Sequence, residues 1–474
     1  MAQPAKPTQM STGPGGVEGR FARVGMALAD WSQRWFPDAF VFALGAIVIV
    51  FLAGLLLGTP ALELARFFGE GFWSLIPFTM QMAMIIIGGY VVASSPPVHR
   101  LIRWLARIPR TPRGAVAYVA FFSMASSLIS WGLSLIFSAM LVREVVKNVR
   151  GIDYRAIGAA AYLGLGSVWA LGLSSSAALM MATPSALPAA LREISGVIPL
   201  SDTIYTWQSI ATAAILTLAS VIVAWLSAPA SSTLTAESFG IGDGIEQKPL
   251  EPRQTPAELL EYVPALSIAI AVMGLAYLAQ VLAARGPMAA LDLNTYNLLF
   301  LMAGLLLHWR PRSFIRAVND AVPATSGVLI QFPFYGGIFG IITMSTISHE
   351  LTQFFVRVST QGTYPLLVSL YSALLGMFVP SGGSKWIIEA PYVLQAAKDL
   401  QVNLGWVVQI YNAAEALPNL VNPFWMLPLL GILKVRARDL VGYGLLQLVV
   451  HSVLVLFLMW FFARTFTYVP PVIP

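Results

Sequence analysis

Cysteine is absent from all 474 residues, which excludes disulfides and thiolate metal sites. Histidine is scarce. His99, His308, His349 and His451 stand apart and form no HExxH or similar ligand pair, so neither a resident metal nor any other cofactor is expected. Charge is scarce as well: 11% of residues are charged against 57% hydrophobic, with a mean hydropathy of +0.74. Such a balance excludes an ordinary soluble domain and places the chain among all-α polytopic membrane proteins, with the lipid bilayer as its environment. The net charge of +6 resides in short loops beside apolar runs, so the membrane accounts for it and nucleic acid is not an expected partner.

Long uninterrupted spans are also fewer than the hydropathy suggests. Residues 1–18 read as a disordered tail rich in Pro, Gly, Gln and Thr. They are not read as a signal peptide, because the first apolar run starts only near Phe40. Phe21, Val24, Leu28, Trp31 and Trp35 then recur at helical spacing, with Arg20, Arg23 and Arg34 on other faces, as in a helix lying in the interface. Spans are expected at about 39–58, 72–95, 208–227, 262–283, 295–309, 321–345 and 440–463. Segments 98–110 and 346–358 alternate as interfacial helices do.

Four apolar stretches carry internal breaks. Residues 114–142 are uncharged, bracketed by Arg113 and Arg143 and broken at Ser130-Trp131-Gly132. A hairpin with both ends on one side fits this; a single tilted span is the alternative. The run 156–181 is interrupted at Gly172 to Ser176, where adjacent serines offer the backbone competing hydrogen bonds. Val379-Pro380-Ser381-Gly382-Gly383-Ser384-Lys385 separates two apolar runs, each shorter than the about 20 residues that cross a bilayer, and reads as a re-entrant hairpin. Residues 404–433 are interrupted between Pro418 and Pro423.

A displacement of about 249 residues repeats the order of these elements and lays Ser123 on Ser372, Tyr162 on Tyr411 and Trp131-Gly132 on Pro380-Ser381. The expected division is a first repeat at 19–227, a cytoplasmic linker at 228–261, a linking span at 262–284 and a second repeat at 285–474. An odd number of crossings before the second unit inverts it, the organisation of secondary transporters with a binding site between inverted repeats. Basic residues assigned to inside loops outnumber those outside (Arg66, Arg192, Arg285, Arg357, Lys398 and Arg464) by twenty to six, which puts the N-terminus in the cytoplasm.

Backbone that is not helical at membrane depth must be buried or line a wet cavity. The substrate-binding candidates are therefore Trp131, Gly132, Ser174, Ser175, Ser381, Gly382, Gly383, Ser384, Lys385, Asn419 and Asn422. Half-helices starting after Ser384 and after Asn422-Pro423 would offer free N–H groups to a carboxylate. Lys385 either pairs with that carboxylate or with Glu389 one turn on. Glu415 and Glu389 are the coupling candidates, Glu415 either carrying a proton or holding a structural hydrogen bond. Tyr162, Trp131, Tyr411, Phe424 and Trp425 could wall an apolar pocket, while His308 and His451 read as packing residues. No nucleophile–base pair can be assembled from the spans, so no enzyme is expected. The rival functions are a passive anion channel and, further off, an intramembrane enzyme on acyl substrates.

At Gly71-Phe72-Trp73, Met80-Gln81-Met82, Ala182-Thr183-Pro184, Gln331 to Tyr335, Val379 to Gly383 and Pro423-Phe424-Trp425, the chain resembles the bacterial short-chain fatty acid transporter family, the acetoacetate and butyrate uptake carriers. The resemblance runs from about Trp35 to the last span. It implies uptake of small carboxylates across the cytoplasmic membrane by ion-coupled symport, with H+ or Na+ as the ion. It also implies the wider ion-transporter architecture, in which hairpins and broken helices move against a scaffold like an elevator, and leaves a homodimer open as the assembly.

Overall fold

The computed structural model describes residues 39–229, 234–241, 250–379, 381–422 and 424–473; the interfacial helix expected at 19–35, the tail, Pro380 and Pro423 lie outside them. The described residues are helical throughout, without strands. The first half runs α1 (Ala39–Leu56), α2 (Ala61–Ser74), α3 (Ile76–Ala93), α4 (Pro96–Leu105), α5 (Pro112–Ile129), α6 (Trp131–Asn148), α7 (Tyr154–Leu163), α8 (Ser176–Ala182), α9 (Ala189–Ser195) and α10 (Trp207–Ser227). After α11 (Ala265–Arg285) come α12 (Leu293–His308), α13 (Pro311–Ala321), α14 (Ser326–Met344), α15 (Ile347–Val358), α16 (Tyr364–Phe378), α17 (Gly382–Asp399), α18 (Leu404–Asn419), α19 (Leu427–Leu433) and α20 (Ala437–Ala463). Among the described residues six helical stretches are long and apolar enough to cross a membrane, and the protein is a multi-pass membrane protein.

Both candidate hairpins fold back on themselves. Thr111 accepts from Gly114 N at 3.2 Å and Pro112 opens α5. Ser130 is extended and ends it, its hydroxyl then accepting from Leu133 N. Ser134 Oγ donates to Ser123 O at 2.7 Å; eleven residues along a straight helix would separate them by about 16 Å, so the chain has turned at Ser130 and a single tilted span is ruled out. Across α16 and α17, Tyr364 bonds Val393 O, Tyr371 bonds Tyr392 and Ser372 bonds Glu389. As one position advances the other retreats, the register of an antiparallel pair.

The break in the α7 segment begins earlier than its serines suggest. Residues Gly164–Val168 form a π turn and Trp169–Leu171 a 3-10 turn before the extended run that leads into α8. Ser123 is the cause. Its hydroxyl donates to Ala161 O at 2.6 Å and accepts from Gly164 N at 3.0 Å, taking that N–H out of the α-helical ladder. A Cβ at Gly164 would fall on Ser123 O, so only glycine admits this approach.

Two elements escape the sequence reading. No helix is expected before residue 72 of the second span, yet α2 occupies 61–74 and α3 starts only after Leu75. Glu63, Arg66 and Glu70 depress the hydropathy of α2 and hide its buried stripe of Leu64, Phe67 and Gly71. Likewise the span read as 321–345 is α14 from Ser326, preceded by the amphipathic α13.

The outer helices cross between halves. α1 and α2 pack on α14, whereas α12 and α13 pack on α3. Small residues make the first crossing possible: a Cβ at Gly71 would come within 2.7 Å of Gly340 Cα, and one at Gly336 within 2.6 Å of Gly71 O. Replacing Gly71 by Val should therefore cost about 1–3 kcal/mol through overpacking and lower the melting temperature of the detergent-solubilised protein. Gly69→Ala, where a Cβ meets nothing within 4 Å, should leave it unchanged or raise it.

Candidate functional site

The interrupted segments converge on one cleft of about 390 Å³, measured with the solvent-open space included. Ser381, Gly382 and Gly383 enter it from the start of α17, Ser176 from the start of α8, Asn419 from the end of α18, and Leu165 and Trp169 from the unwound turns. Met82 of α3, Val328 and Phe332 of α14, Trp131 of α6 and Trp425 complete the wall. Trp131 and Trp425 meet edge to face, centroids 5.3 Å apart, and Phe332 stacks on Phe78 at 5.7 Å. The walls are thus largely apolar and aromatic, with Ser176, Ser381 and Asn419 as the polar side chains and one end of α17 reaching into the cleft.

At that end α17 begins without a side-chain cap. Ser381 Oγ donates to Ser384 Oγ at 3.1 Å instead of accepting from the helix, and Lys385 N is the first to bond back to Ser381 O, at 2.9 Å. The N–H groups of Gly382, Gly383 and Ser384 therefore precede the helical ladder and carry its positive end. Glycine is required for this approach. A Cβ at Gly382 would collide with the Trp169 ring, and one at Gly383 would stand 2.7 Å from Phe78 Cζ. Trp169 Nε1 and Asn419 Oδ1 are buried at the cleft with no hydrogen-bond partner among the described residues, a costly condition unless a ligand or water completes them.

Behind the cleft lies an ionic triad. Lys385 Nζ is 3.0 Å from Glu389 Oε1 and 2.8 Å from Glu415 Oε2, with side-chain exposures of 0% and 1%. The ammonium also donates to Ser372 O at 2.8 Å and sits 4.4 Å from the centre of the Tyr411 ring. Ser372 Oγ in turn donates to Glu389 Oε2 at 2.5 Å. The contact of Glu415 with Lys385 brings the charges together without hydrogen-bond geometry, and Glu415 Oε1 has no partner among the described residues. Tyr411 OH donates to Gly382 O at 2.5 Å, which fixes the first residue of α17 to α18.

The residues singled out from sequence thus separate into groups. Trp131, Ser381, Gly382, Gly383 and Asn419 share the cleft. Lys385, Glu389 and Glu415 form the triad beneath it: Lys385 pairs with Glu389, one of its two expected partners, and also with Glu415, which was not expected to join them. Ser384 is buried behind Ser381. Ser175 caps α8 through Ala178 N and donates to Asn412 Oδ1 at 3.0 Å, a holding contact between α8 and α18. Ser174 is buried beside it with its hydroxyl unpartnered among the described residues. Gly132 faces the α3 backbone at Ile85 and Ile86, and Asn422 follows α18, its N–H bonded to Pro418 O. His308 bonds Ser313 and Val91 O, and His451 bonds Ser220. Trp169, Ser176, Leu165, Val328, Phe332 and Met82 were not foreseen as lining; Ser176 is the last residue of the predicted serine break and Trp169 lies just before it, a signal that could have found them.

The chain matches the family model of the short chain fatty acid transporter over residues 20–462. It is 35% identical over 437 residues, 91% of this chain and 98% of the relative, to an Escherichia coli protein provisionally named a short-chain fatty acid transporter. A Haemophilus influenzae protein of the same provisional name is 32% identical over 435 residues, 90% of this chain and 97% of the relative. In fold it is similar to the YdaH transporter of Alcanivorax borkumensis, with a TM-score of 0.59 and 16% identity over 92% of this chain and 100% of that one. MtrF of Neisseria gonorrhoeae, described as one of a class of antimetabolite efflux pumps, gives a TM-score of 0.55 and 13% identity over 96% of this chain and 99% of that one. By sequence over nearly its whole length, and with a carrier-like fold built around interrupted helices, the chain belongs to the short-chain fatty acid transporter family.

Proposed function

We propose that the protein is a secondary carrier that takes up short-chain fatty acid anions such as acetoacetate and butyrate across the cytoplasmic membrane, coupled to an ion gradient. The observation that carries this reading is the cleft itself. The start of α17 offers the N–H groups of Gly382 and Gly383, which precede the helical ladder, Trp169 offers its indole N–H, and the remaining lining is largely apolar. A carboxylate needs these donors and a two- to four-carbon tail needs the apolar lining.

Alternating access between two inverted repeats, with an elevator motion, suits the packing. α5 lies against α7 and α10 as α16 lies against α18 and α20, and α3 and α4 lie against α6 as α14 and α15 lie against α17. Displaced by about 249 residues, α2, α3 and α6 start at positions 310, 325 and 380, within two residues of α13, α14 and α17. In this reading α5–α6 and α16–α17 are re-entrant hairpins, α4 and α15 are connecting arms, the N-terminus is cytoplasmic and residues 228–261 link the halves. A homodimer is the proposed assembly, built on helices outside the moving core.

Purified protein in proteoliposomes should catalyse saturable counterflow of labelled butyrate and acetoacetate. Protein-free liposomes measure the leak of the neutral acid, and flux that neither saturates nor shows counterflow would turn the reading to a channel. Trp169→Phe removes one donor and part of the ring that walls the cleft, so substrate affinity should fall by at least about two- to tenfold, the equivalent of one hydrogen bond. Gly382→Val, which drives a branched side chain into the Trp169 ring, should abolish counterflow while the protein still reaches the membrane.

A further inference from the structure

The triad behind the cleft is unbalanced: Lys385 faces two carboxylates, Glu389 and Glu415, and all three side chains are at most 1% exposed. With every group ionised, one negative charge remains uncompensated in an apolar interior, a costly state that uptake of a proton relieves. We propose that Glu415 is the proton-carrying group of an electroneutral proton–carboxylate symport, protonated as an anion enters the cleft and deprotonated as it leaves. This deepens the carrier reading above and rests on it.

Three observations converge on Glu415. Glu389 has a donor on each oxygen, Lys385 Nζ at 3.0 Å and Ser372 Oγ at 2.5 Å, the arrangement that suits an acceptor-only carboxylate. Glu415 has no partner for Oε1 among the described residues, and its Oε2 lacks hydrogen-bond geometry to the ammonium, so its charge is the less supported of the two. The Lys385 ammonium already occupies the place between the two carboxylates, so a cation that adds to Glu415 without displacing it is a proton bound to the free oxygen.

The same residue is in touch with the cleft. A Cβ on Gly382 would stand 3.6 Å from Glu415 Cγ, and Asn419, one helical turn after Glu415, lines the cleft with its amide oxygen unpartnered. An anion held by the N–H groups of Gly382 and Gly383 is therefore a near neighbour of the Glu415 carboxylate, and like charges repel strongly in a medium of low permittivity. Formation of the O–H bond at Glu415, with a hydronium proton delivered from the bulk solution through the cleft, removes that repulsion. Its release to water on the other side restores the empty carrier. One anion and one proton move together and no net charge crosses.

The other titratable groups around Glu415 do not compete for the role. Lys385 and Glu389 of α17 are the charged ones. Tyr411 of α18 donates to Gly382 O, Tyr371 of α16 and Tyr392 of α17 bond each other, and His451 of α20 is engaged with Ser220 Oγ at 2.6 Å.

The test is butyrate binding to the whole purified protein in detergent, followed by calorimetry between pH 6 and 9 in buffers of differing ionisation heat. Wild type should take up about one proton per butyrate in the upper range, with affinity falling about tenfold per pH unit there, and should bind equally in sodium and choline salts. Glu415→Gln mimics the protonated state, so its affinity should be flat with pH, near the wild-type value at pH 6, with no proton taken up. Wild-type binding without proton uptake, a sodium requirement, or a Glu415→Gln variant that keeps the slope would overturn the assignment and leave the carrier standing. The wild-type measurement alone decides should the variant fail to fold. Absence of butyrate binding at every pH would overturn both.

Discussion

Backbone that leaves the helix inside a membrane has nowhere to send its N–H and C=O groups except to the protein itself, and the architecture follows from meeting that demand at one place. Serine side chains do much of the meeting. Ser123 accepts the N–H that the π turn releases, and Ser134 returns to Ser123 O across the first hairpin. At the position 249 residues on, Ser372 accepts the Lys385 ammonium on its carbonyl and gives its hydroxyl to Glu389. Both hairpins are thus tied across by a side chain of the returning helix to a serine carbonyl of the entering one. The N–H groups of Gly382 and Gly383 are left over from this accounting, and they face the cleft.

A division of labour between charge and binding results. Fixed positive charge is withheld from the cleft and held one layer deeper, where Lys385 ties α17 to α18 through Glu389 and Glu415. In the proposed reading the anion then meets only partial charges, those of a helix end and an indole. A bare ammonium would grip a small acid tightly and also bind any other anion; dipoles grip less and leave selectivity to the shape set by Trp131, Trp425 and Phe332. A carrier that must let go on every cycle gains from that weakness.

How much of this could be read in the chain beforehand varies with the physical signal. The four breaks announced themselves through Ser130-Trp131-Gly132, the serine run at 174–176, Pro380 with the Gly382-Gly383 pair, and Pro418, because these residues act on the backbone whatever surrounds them. Five of the candidates accordingly share the cleft. Helix α2 was hidden because hydropathy averages over faces, and Glu63, Arg66 and Glu70 masked its buried stripe. Phe332, Val328 and Met82 were out of reach for another reason: they sit within unbroken helices and reach the cleft only through the packing of α3 and α14, which no local pattern encodes. Lys385 showed its partner Glu389 by spacing, while Glu415 joined the triad across a long stretch of sequence.

The crossed packing of the outer helices bears on how the molecule comes into being. Because α1 and α2 rest on α14, and α12 and α13 rest on α3, neither half owns its full complement of neighbours. The Gly71 face of α2, emerging early from the ribosome, has no seat until Gly336 and Gly340 follow it into the bilayer. The halves are interlocked like clasped hands: the outer helices of each are seated on an inner helix of the other, and neither packing face is complete until both are in place.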